Sequence, residues 1–205
     1  MDTGDLIRAL VVVVAGYLIG GIPWGVIVAR LAGGPDPRTL GSGRTGGANV
    51  MRAIGPRLAL VSGLLDMAKG IVAVLVARAL GAGPAVEVLA GLAALIGHSR
   101  SPFLGFRGGR GVSAGYGALL VISPLAALAT IPIFVGVVLL TRYSSLASLA
   151  GSLVAGVLLG GLTIVAPLPP EYLAYAIVGP LLIWLFHLDN IQRLLAGTER
   201  KIGGT

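Results

Sequence analysis

The chain has 205 residues, of which 56% are hydrophobic and 11% are charged, and its formal net charge is +7 at pH 7. A soluble domain of this length does not need such a composition, so we predict an integral membrane protein. The sequence has no cysteine, which excludes disulfides, a thiolate nucleophile and cysteine-ligated metals. The high pI reflects mostly the membrane topology, so it is weak evidence for nucleic-acid binding, and no platform of interleaved aromatic and basic residues is apparent.

The apolar residues form seven runs, at residues 6–30, 58–80, 85–97, 112–122, 125–140, 146–166 and 172–186. They predict an all-α integral membrane protein with about seven transmembrane helices, in a single domain over residues 1–205. The runs at 85–97 and 112–122 are shorter than the about 20 residues that an upright span needs. We expect polar flanking segments to complete them around a recessed polar cavity.

Basic residues indicate how the chain crosses the membrane, because short loops rich in lysine and arginine stay in the cytoplasm. The first, third and fifth connections and the C-terminal tail carry Arg30, Arg38, Arg44, Arg52, Arg57, Arg100, Arg107, Arg110, Arg142, Arg193, Arg200 and Lys201. The second and fourth connections carry no charge, and the sixth carries only Glu171. This alternation predicts an external N-terminus and a cytoplasmic C-terminus. Arg8 and Arg78, near the outer ends of the first two spans, are exceptions.

The first polar segment, residues 41–52, is rich in glycine and lies in the first cytoplasmic connection. Its glycines let the backbone turn tightly, so that amide groups come close to a bound oxyanion. Ser42 and Asn49 add side-chain hydrogen bonds, and Arg52 is suited to a two-pronged pair with phosphate. The alternative is a flexible loop whose arginines obey the positive-inside rule, since no Walker-type lysine motif is present.

The second segment, residues 97–111, places arginines on both sides of a glycine pair. Arg107 and Arg110 flank Gly108 and Gly109, whose amides are able to approach a phosphate. The alternative is a turn at the membrane surface with snorkelling arginines. The histidine near its start, at position 98, is by itself more typical of a polar helix end than of a catalyst.

The third segment, residues 187–193, follows the last apolar run. His187 and Asn190 share one face if the helix continues, and a neutral imidazole there is able to orient or deprotonate a hydroxyl. Alternatively, His187 caps the helix and Asn190 satisfies backbone groups. In the second span, Asp66 and Lys69 are close enough for an ion pair, which is either structural or part of a site.

Together the three segments resemble the bacterial acyl-phosphate:glycerol-3-phosphate acyltransferase family known as PlsY. The family patterns are approximately G-S-G-N-x-G-A-T-N-x-x-R, G-H-x-x-P-x-F-x-x-F-x-G-G-K-G-V-A-T and H-x-x-N-I-x-R-L-x-x-G-x-E. They correspond to residues 41–52, 97–114 and 187–199, in the same order, and the resemblance covers most of the chain. It implies a seven-helix protein of the bacterial inner membrane with an external N-terminus.

The resemblance also implies a reaction, in which a fatty acyl group moves from acyl phosphate to the sn-1 hydroxyl of glycerol 3-phosphate to give lysophosphatidic acid and phosphate. No cofactor or metal is implied, and the expected partners are the two substrates and membrane lipids, without nucleic acid. The residues implied as catalytic are Ser42, Arg52, His187 and Asn190. Those implied for substrate or phosphate binding are Gly43, Arg44, Gly46, Asn49, Lys69, His98, Arg107, Gly108, Gly109, Arg110 and Ser145.

The sequence departs from the family patterns at several positions. Arg44 stands where asparagine is expected, Ala48 replaces threonine, and Arg107 and Arg110 replace lysines. A divergent relative with another acceptor, or a non-catalytic lipid- or anion-binding protein, is therefore an alternative. An anion transporter is disfavoured, because the basic residues are one-sided and no inverted repeat is apparent.

Overall fold

The computed structural model describes residues 2–203, which form α-helices and two short 3-10 helices, with no β-strand in this part of the chain. The helices are α1 (Thr3–Gly21), α2 (Trp24–Leu31), α3 (Gly47–Ala79), α4 (Pro84–Ser99), α5 (Val112–Ile122), α6 (Pro124–Thr141), α7 (Ser144–Val165), α8 (Tyr172–Phe186) and α9 (Leu188–Leu195). The predicted all-α class is confirmed for these residues.

Four helical segments are long and apolar enough to cross a membrane, namely Thr3–Leu31, Gly47–Ala79, Pro124–Thr141 and Ser144–Val165. A fifth is formed if α8 and α9, which meet at 62°, are one broken span. With 16 and 11 residues, α4 and α5 are shorter than an upright span requires. The chain is therefore a multi-pass membrane protein, and its short helices match the short apolar runs of the sequence.

Two long apolar helices are broken, at positions that the local sequence explains. Within the first apolar run, α1 ends before Ile22 and Pro23, where proline has no amide hydrogen for the helix, and α2 begins directly afterwards. Within α3, Gly55 has a φ of 82°, in the left-handed region that favours glycine, and Pro56 follows it. The second predicted run, at 58–80, is thus the longer half of a kinked helix that begins at Gly47.

Most residues of α4 are buried, and this helix lies at the centre of the bundle against α1, α3, α5 and α8. A side chain at Gly20 would collide with the backbone of Ala94, and one at Gly97 would collide with the carbonyl oxygen of Tyr17. The glycines therefore allow α1 and α4 to approach backbone to backbone, as small residues commonly do between membrane helices.

Helices α6, α7 and α8 form a second row, in which α6 packs on α7 and α7 packs on α8. The two rows meet where α4 contacts α8 and α5 contacts α6. A polar cluster around the buried Glu87 ties the rows together, because the guanidinium of the exposed Arg78 on α3 pairs with Glu87 on α4 at 2.7 Å, and Tyr172 on α8 donates to the same carboxylate at 2.8 Å. The space left between the rows holds the cavities described next.

Candidate active site

A polar cavity of about 200 Å³ lies where the three sequence motifs meet. Its lining comes from α3 and the loop before it, the end of α4, the start of α5 and the loop before it, the middle of α6, the start of α7, and the α8–α9 junction with the C-terminal tail. The predicted site residues that line it are Ser42, Arg44, Gly46, Asn49, Arg52, His98, Arg110, Ser145, His187 and Asn190. Segments that are far apart in the sequence therefore form one site.

The other predicted site residues, Gly43, Lys69, Arg107, Gly108 and Gly109, lie outside this lining. Arg107 is exposed, whereas the glycine pair that follows it is buried. The amide of Gly108 donates to the Ser99 carbonyl at 3.1 Å, and the amide of Gly109 donates to the His98 carbonyl at 3.0 Å. These amides fasten the glycine loop to the end of α4, which differs from the expectation that they approach a phosphate.

The carboxamide of Asn49 organises the first motif from the inside of its loop. Its Nδ2 lies 2.6 Å from the Pro37 carbonyl oxygen, 2.9 Å from that of Leu40 and 2.8 Å from that of Arg44. Its Oδ1 accepts a hydrogen bond from the amide of Ser42 at 3.2 Å. Because the side chain is buried and all its groups are used within the loop, Asn49 shapes the site rather than offering free donors to a ligand.

Arg44 and Arg52 bring positive charge to the cavity without a neutralising carboxylate. Within residues 2–203, neither guanidinium forms an ion pair, and Arg52 makes only a long contact of 3.4 Å with the Ala48 carbonyl oxygen. Burial lowers the pKa of Arg44, and the nearby charge of Arg110 lowers it further, against an opposing effect of Asp189. A bound anion would relieve this repulsion.

A further cationic side chain, Lys69, is held by a buried cluster behind the cavity. Its Nζ lies 2.7 Å from Asp66 Oδ1 and donates to the Ile22 carbonyl oxygen at 2.8 Å, at the break between α1 and α2. Since an ammonium has only donors, the Nδ1 of His98 accepts from it at 3.1 Å. Lys69 therefore joins α3 and α4 to the start of α2.

The imidazole of His98 lies directly on the backbone of the second motif. A Cβ atom added to Gly109 would overlap with the Nε2 atom of His98. Only glycine allows this close approach of ring and loop. The Asp66–Lys69–His98 cluster thus supports the glycine loop that precedes Arg110.

Arg110 is held in place by a carboxylate of the third motif. Its Nη1 and Nη2 lie 2.6 and 2.8 Å from the two oxygens of Asp189, and Nη1 also donates to the Phe186 carbonyl at 2.6 Å. This two-pronged geometry suits arginine and not lysine. The hydrogen bonds from Arg110 hold the pKa of Asp189 well below its usual range, although burial opposes the shift.

The buried imidazole of His187 has its orientation set by the backbone of α8. Its Nδ1 lies 2.7 Å from the Ile183 carbonyl oxygen. A carbonyl oxygen only accepts, so Nδ1 carries the proton and Nε2 of the neutral ring is an acceptor. Three residues on, the Oδ1 atom of Asn190 is also buried and has no hydrogen-bond partner within residues 2–203. Two acceptors are thus available at the α8–α9 junction.

Glu199, in the C-terminal tail, connects the side chains around this junction. Its Oε1 accepts from Ser145 at 2.8 Å and from Asn190 Nδ2 at 2.6 Å, while its Oε2 pairs with Arg193 at 2.7 Å. Burial raises the pKa of Glu199, but the hydrogen bonds from Arg193, Asn190 and Ser145 outweigh it and lower the pKa. The tail therefore forms part of the cavity wall through an ionised carboxylate.

A second, apolar cavity of about 530 Å³ adjoins the polar one. The two share Val112, Ser113, Phe134 and Ser148 in their linings. The larger cavity continues between α5, α6, α7 and α8, away from the arginines, and its walls are almost entirely apolar. The arginine-lined polar cavity therefore opens into an apolar one.

Comparison with known proteins identifies the family. Residues 10–197 match the family model described as glycerol-3-phosphate acyltransferase. The chain belongs to this family. Among solved structures, the glycerol 3-phosphate form of PlsY, described as an integral membrane glycerol 3-phosphate acyltransferase, superposes with a TM-score of 0.86 at 38% identity, over 96% of each chain. The lysophosphatidic acid form gives a TM-score of 0.85 at 36% identity, with the same coverage.

Curated members of the acyltransferase family span nearly the whole chain. Glycerol-3-phosphate acyltransferase 3 of Dehalococcoides mccartyi is 42% identical over 212 residues, which cover 95% of this chain and 96% of that protein. Glycerol-3-phosphate acyltransferase of Rubrobacter xylanophilus is 44% identical over 197 residues, with coverage of 95% and 96%. The resemblance stated from the sequence motifs is therefore confirmed, although this chain departs from those motifs at Arg44 and Ala48.

Several residues of the acyltransferase cavity were not among the predicted site residues. They are Asp66, Phe134, Ser144, Ser148, Arg193, Glu199 and Arg200. Arg193 and Glu199 occupy fixed positions of the third family pattern, which was a signal for them. Phe134 lies in the middle of an apolar helix, where nothing in the local sequence distinguishes it from a lipid-facing residue.

Proposed function

We propose that the chain is a membrane glycerol-3-phosphate acyltransferase that takes its acyl group from acyl phosphate. The acceptor hydroxyl oxygen forms an ester bond to the acyl carbonyl carbon, and the bond from that carbon to the phosphate oxygen breaks. The products are lysophosphatidic acid and inorganic phosphate, and the hydroxyl proton leaves with the phosphate. Because acyl phosphate has a good leaving group, this chemistry needs positioning and charge stabilisation more than a strong base, and it needs no cofactor.

The observation that carries the proposal is the junction of the polar and apolar cavities. Two phosphate-bearing substrates match the arginine-lined chamber, whereas the acyl chain of the donor matches the apolar one. The reacting carbonyl carbon of the donor belongs where the two meet, near Ser113 and Ser148. A soluble anion without an acyl chain would leave the apolar chamber empty, and an uncharged lipid would leave the arginines without a partner.

The acceptor hydroxyl is assigned to the α8–α9 junction. The free Nε2 of His187 and the unpartnered Oδ1 of Asn190 are both able to accept its proton in a hydrogen bond and so fix the oxygen for attack. Orientation is the main task of His187, since a substrate phosphate is able to take the proton. Ser42 and Ser145, which also line the chamber, complete the hydrogen bonds to substrate.

The phosphates are assigned to the uncompensated arginines. Arg44 and Arg52 bind them directly, because neither guanidinium is neutralised by a carboxylate within the described residues. Arg110 is already paired with Asp189, so it stabilises the phosphates through its positive electrostatic potential more than through direct contact. Lys69 and His98 act on the site through the glycine loop, and Arg107 attracts anions from the surface.

The membrane arrangement is part of the same proposal. Seven spans with an external N-terminus would place the arginine-lined chamber on the cytoplasmic side of a bacterial inner membrane, where glycerol 3-phosphate is soluble. The alternation of basic and uncharged connections supports this orientation. The breaks beside α2 and α9 and the short α4 and α5 support spans that are completed by polar segments.

A divergent acceptor is the second candidate function, favoured by Arg44 and Ala48 within the first motif. Arg44 places a guanidinium where the family pattern has an amide, and Ala48 places a methyl group where it has a hydroxyl. Both changes alter the hydrogen-bonding groups that the chamber presents to the acceptor substrate. A phosphorylated alcohol other than glycerol 3-phosphate would satisfy the same arginines. Competition between glycerol 3-phosphate and such alcohols in one assay distinguishes the two candidates.

The test is phosphate release by the purified protein in lipid vesicles with hexadecanoyl phosphate, with and without glycerol 3-phosphate. We expect acceptor-dependent release that yields lysophosphatidic acid and falls at least tenfold in Arg52→Ala. Arg57→Ala, an exposed arginine outside the cavity lining, is the matched control and should be unaffected. A folded wild-type protein with no acceptor-dependent turnover would contradict the proposal.

A further inference from the structure

The apolar cavity follows one face of α7 from the reaction site into the bundle. The residues of α7 that line it recur at helical spacing, from Ser148 at the polar end through Gly151, Ser152, Ala155 and Gly156 to Leu159. At a rise of 1.5 Å per residue, Ser148 and Leu159 are about 16 Å apart along the helix axis. The cavity therefore extends in one direction along α7, with Leu60, Ile131 and Phe134 at an opening on the outside of the bundle.

Small side chains create the width of this cavity. Four successive lining positions on α7 are glycine, serine or alanine, and the facing positions Ala176 and Gly179 on α8 are also small. Bulky aliphatic residues there would fill the space with ordinary core packing. The composition thus leaves a channel wide enough for a flexible hydrocarbon chain.

Leu159 closes the inner end of the channel. It is fully buried, and it belongs to a tightly packed core cluster with Leu119, Tyr175 and Ala176. Both Gly156 and Gly160 face Ala176, which fixes the level at which α8 crosses the end of the channel. The hydroxyl of Tyr175 donates to the Gly115 carbonyl at 2.7 Å, so this wall is anchored to α5.

We propose that the channel selects the donor by acyl-chain length, with the terminal methyl group against Leu159. This proposal rests on the acyltransferase function, and it names a residue that sets the preference among acyl phosphates. A depth of about 16 Å equals roughly half of the about 30 Å hydrocarbon core of a bilayer, which is the reach of one ordinary membrane acyl chain. The floor at Leu159 therefore matches the donor to the chains of the surrounding lipid.

Energetics decide how sharp the selection is. The donor chain comes from a bilayer as apolar as the channel, so each methylene that enters gains only the packing contacts of a closely fitting wall. A chain that already reaches Leu159 gains nothing from a further methylene, and an overlong chain must buckle in a close-packed wall. The profile of kcat/KM against chain length should rise to one optimum and then fall.

The test is that profile, measured with linear saturated acyl phosphates from eight to twenty carbons and saturating glycerol 3-phosphate. Ala155→Leu places a larger side chain one turn before the floor, so its optimum should shorten by about four carbons, with at least a tenfold loss for sixteen carbons. Leu159→Ala deepens the channel, so its optimum should lengthen by one or two carbons. Leu153→Ala, the same substitution on the exposed face of α7, should keep the wild-type profile.

Octanoyl phosphate separates this proposal from the function on which it rests. Its chain ends before Ala155, so both pocket variants should use it as well as the wild type does, which also shows that they are folded. Normal turnover with an unchanged optimum in both variants would overturn the proposal and place the chain tail in the lipid-facing opening beside Leu60 and Ile131. A wild type that uses no acyl phosphate of any length would overturn the function as well.

Discussion

The Nδ1 atom of His187 lies 2.7 Å from the carbonyl oxygen of Ile183, one turn earlier on α8. This carbonyl would otherwise be unsatisfied, because α8 ends at Phe186 and the chain turns by 62° into α9. The bend and the imidazole therefore depend on each other. The contact leaves Nε2 as the only ring atom with a free lone pair, so the end of the helix fixes the orientation of the ring.

Replacing this imidazole should slow the chemical step more than it weakens binding. For His187→Ala we expect kcat to fall by about a hundredfold or more, while KM for hexadecanoyl phosphate changes by less than threefold because the acyl chain binds elsewhere. Leu188→Ala, at the neighbouring half-exposed position, is the control. Steady-state kinetics in vesicles provide the measurement, and a loss confined to KM would contradict an orienting role for His187.

Arg44 should lower the stability of the ligand-free protein, and a bound anion should reverse this loss. Its pKa is lowered by burial and by Arg110, so the folded state disfavours its charged form at neutral pH. We expect Arg44→Asn to raise the melting temperature without ligand. Glycerol 3-phosphate should then raise the melting temperature of the wild type more than that of the variant.

Equal ligand-induced shifts in the wild type and in Arg44→Asn would show that Arg44 does not contact the substrate. Arg38→Asn is the control for a lost positive charge in the same connection, because Arg38 pairs with Asp36 at 2.7 Å and lies outside the cavity lining. Its ligand-induced shift should equal that of the wild type.

The carboxylate of Glu199 should stabilise the fold only while it is ionised. Its folded-state pKa is lowered by Arg193, Asn190 and Ser145 despite burial. The stabilisation is therefore complete above the unfolded-state pKa of about 4.3 and is lost as pH falls through the lower folded-state value. Glu199→Gln should lose about 3 kcal/mol of unfolding free energy at pH 7, and its difference from the wild type should shrink as pH falls through the lowered folded-state pKa.

Thermal unfolding of both proteins between pH 3 and pH 8 measures this difference. Glu171→Gln, at an exposed position before α8, is the matched control and should follow the wild-type curve. A stability difference between Glu199→Gln and the wild type that stays constant across the whole pH range would rule out an ionic contribution from Glu199.

The buried pair of Asp66 and Lys69 should show strong coupling. Removing the ammonium in Lys69→Met leaves a buried carboxylate without its partner, which costs about 3–5 kcal/mol. The double variant Asp66→Asn with Lys69→Met removes both charges and should be more stable than Lys69→Met alone. A double-mutant cycle of unfolding free energies gives the coupling, and additive effects would mean that the 2.7 Å contact contributes nothing.

The same cycle tests the supporting role of the cluster in catalysis. If Lys69 positions the glycine loop through His98, the double variant should recover stability without recovering kcat. Recovery of both would reduce the cluster to a structural ion pair.

The sequence predicted the location of the site better than the tasks of its residues. One-sided arginines and three glycine-rich or polar segments were sufficient to gather His98, His187 and Arg52, because membrane topology limits where charged segments lie. The inward carboxamide of Asn49 was not predictable, since its partners are backbone carbonyl groups of residues 37–44 whose positions only the folded loop defines. The role of Glu199 depends on contacts with α7 and α9, which no local pattern reveals.

The helices could be predicted from the apolar runs of the sequence, but the breaks in the helices could be predicted only in part. Apolar runs fixed the cores of α4 and α5, whereas the start of α3 at Gly47 was missed because its first turns carry the polar residues of the first motif. The glycine and proline at 55 and 56 allow both a loop and a kinked helix. In the folded chain they form a kink within α3, which packs against α2.

Phe134 stands at the boundary of the two cavities and is 36% exposed on the outside of the bundle. Leu60 and Ile131, on the same side of the apolar chamber, are also exposed. Under the proposed function, the acyl phosphate would therefore arrive by lateral diffusion in two dimensions and glycerol 3-phosphate from bulk solution in three. Turnover should consequently follow the mole fraction of donor in the bilayer rather than its concentration per volume, so diluting the vesicles with inert phospholipid would slow the enzyme while diluting the suspension with buffer would not.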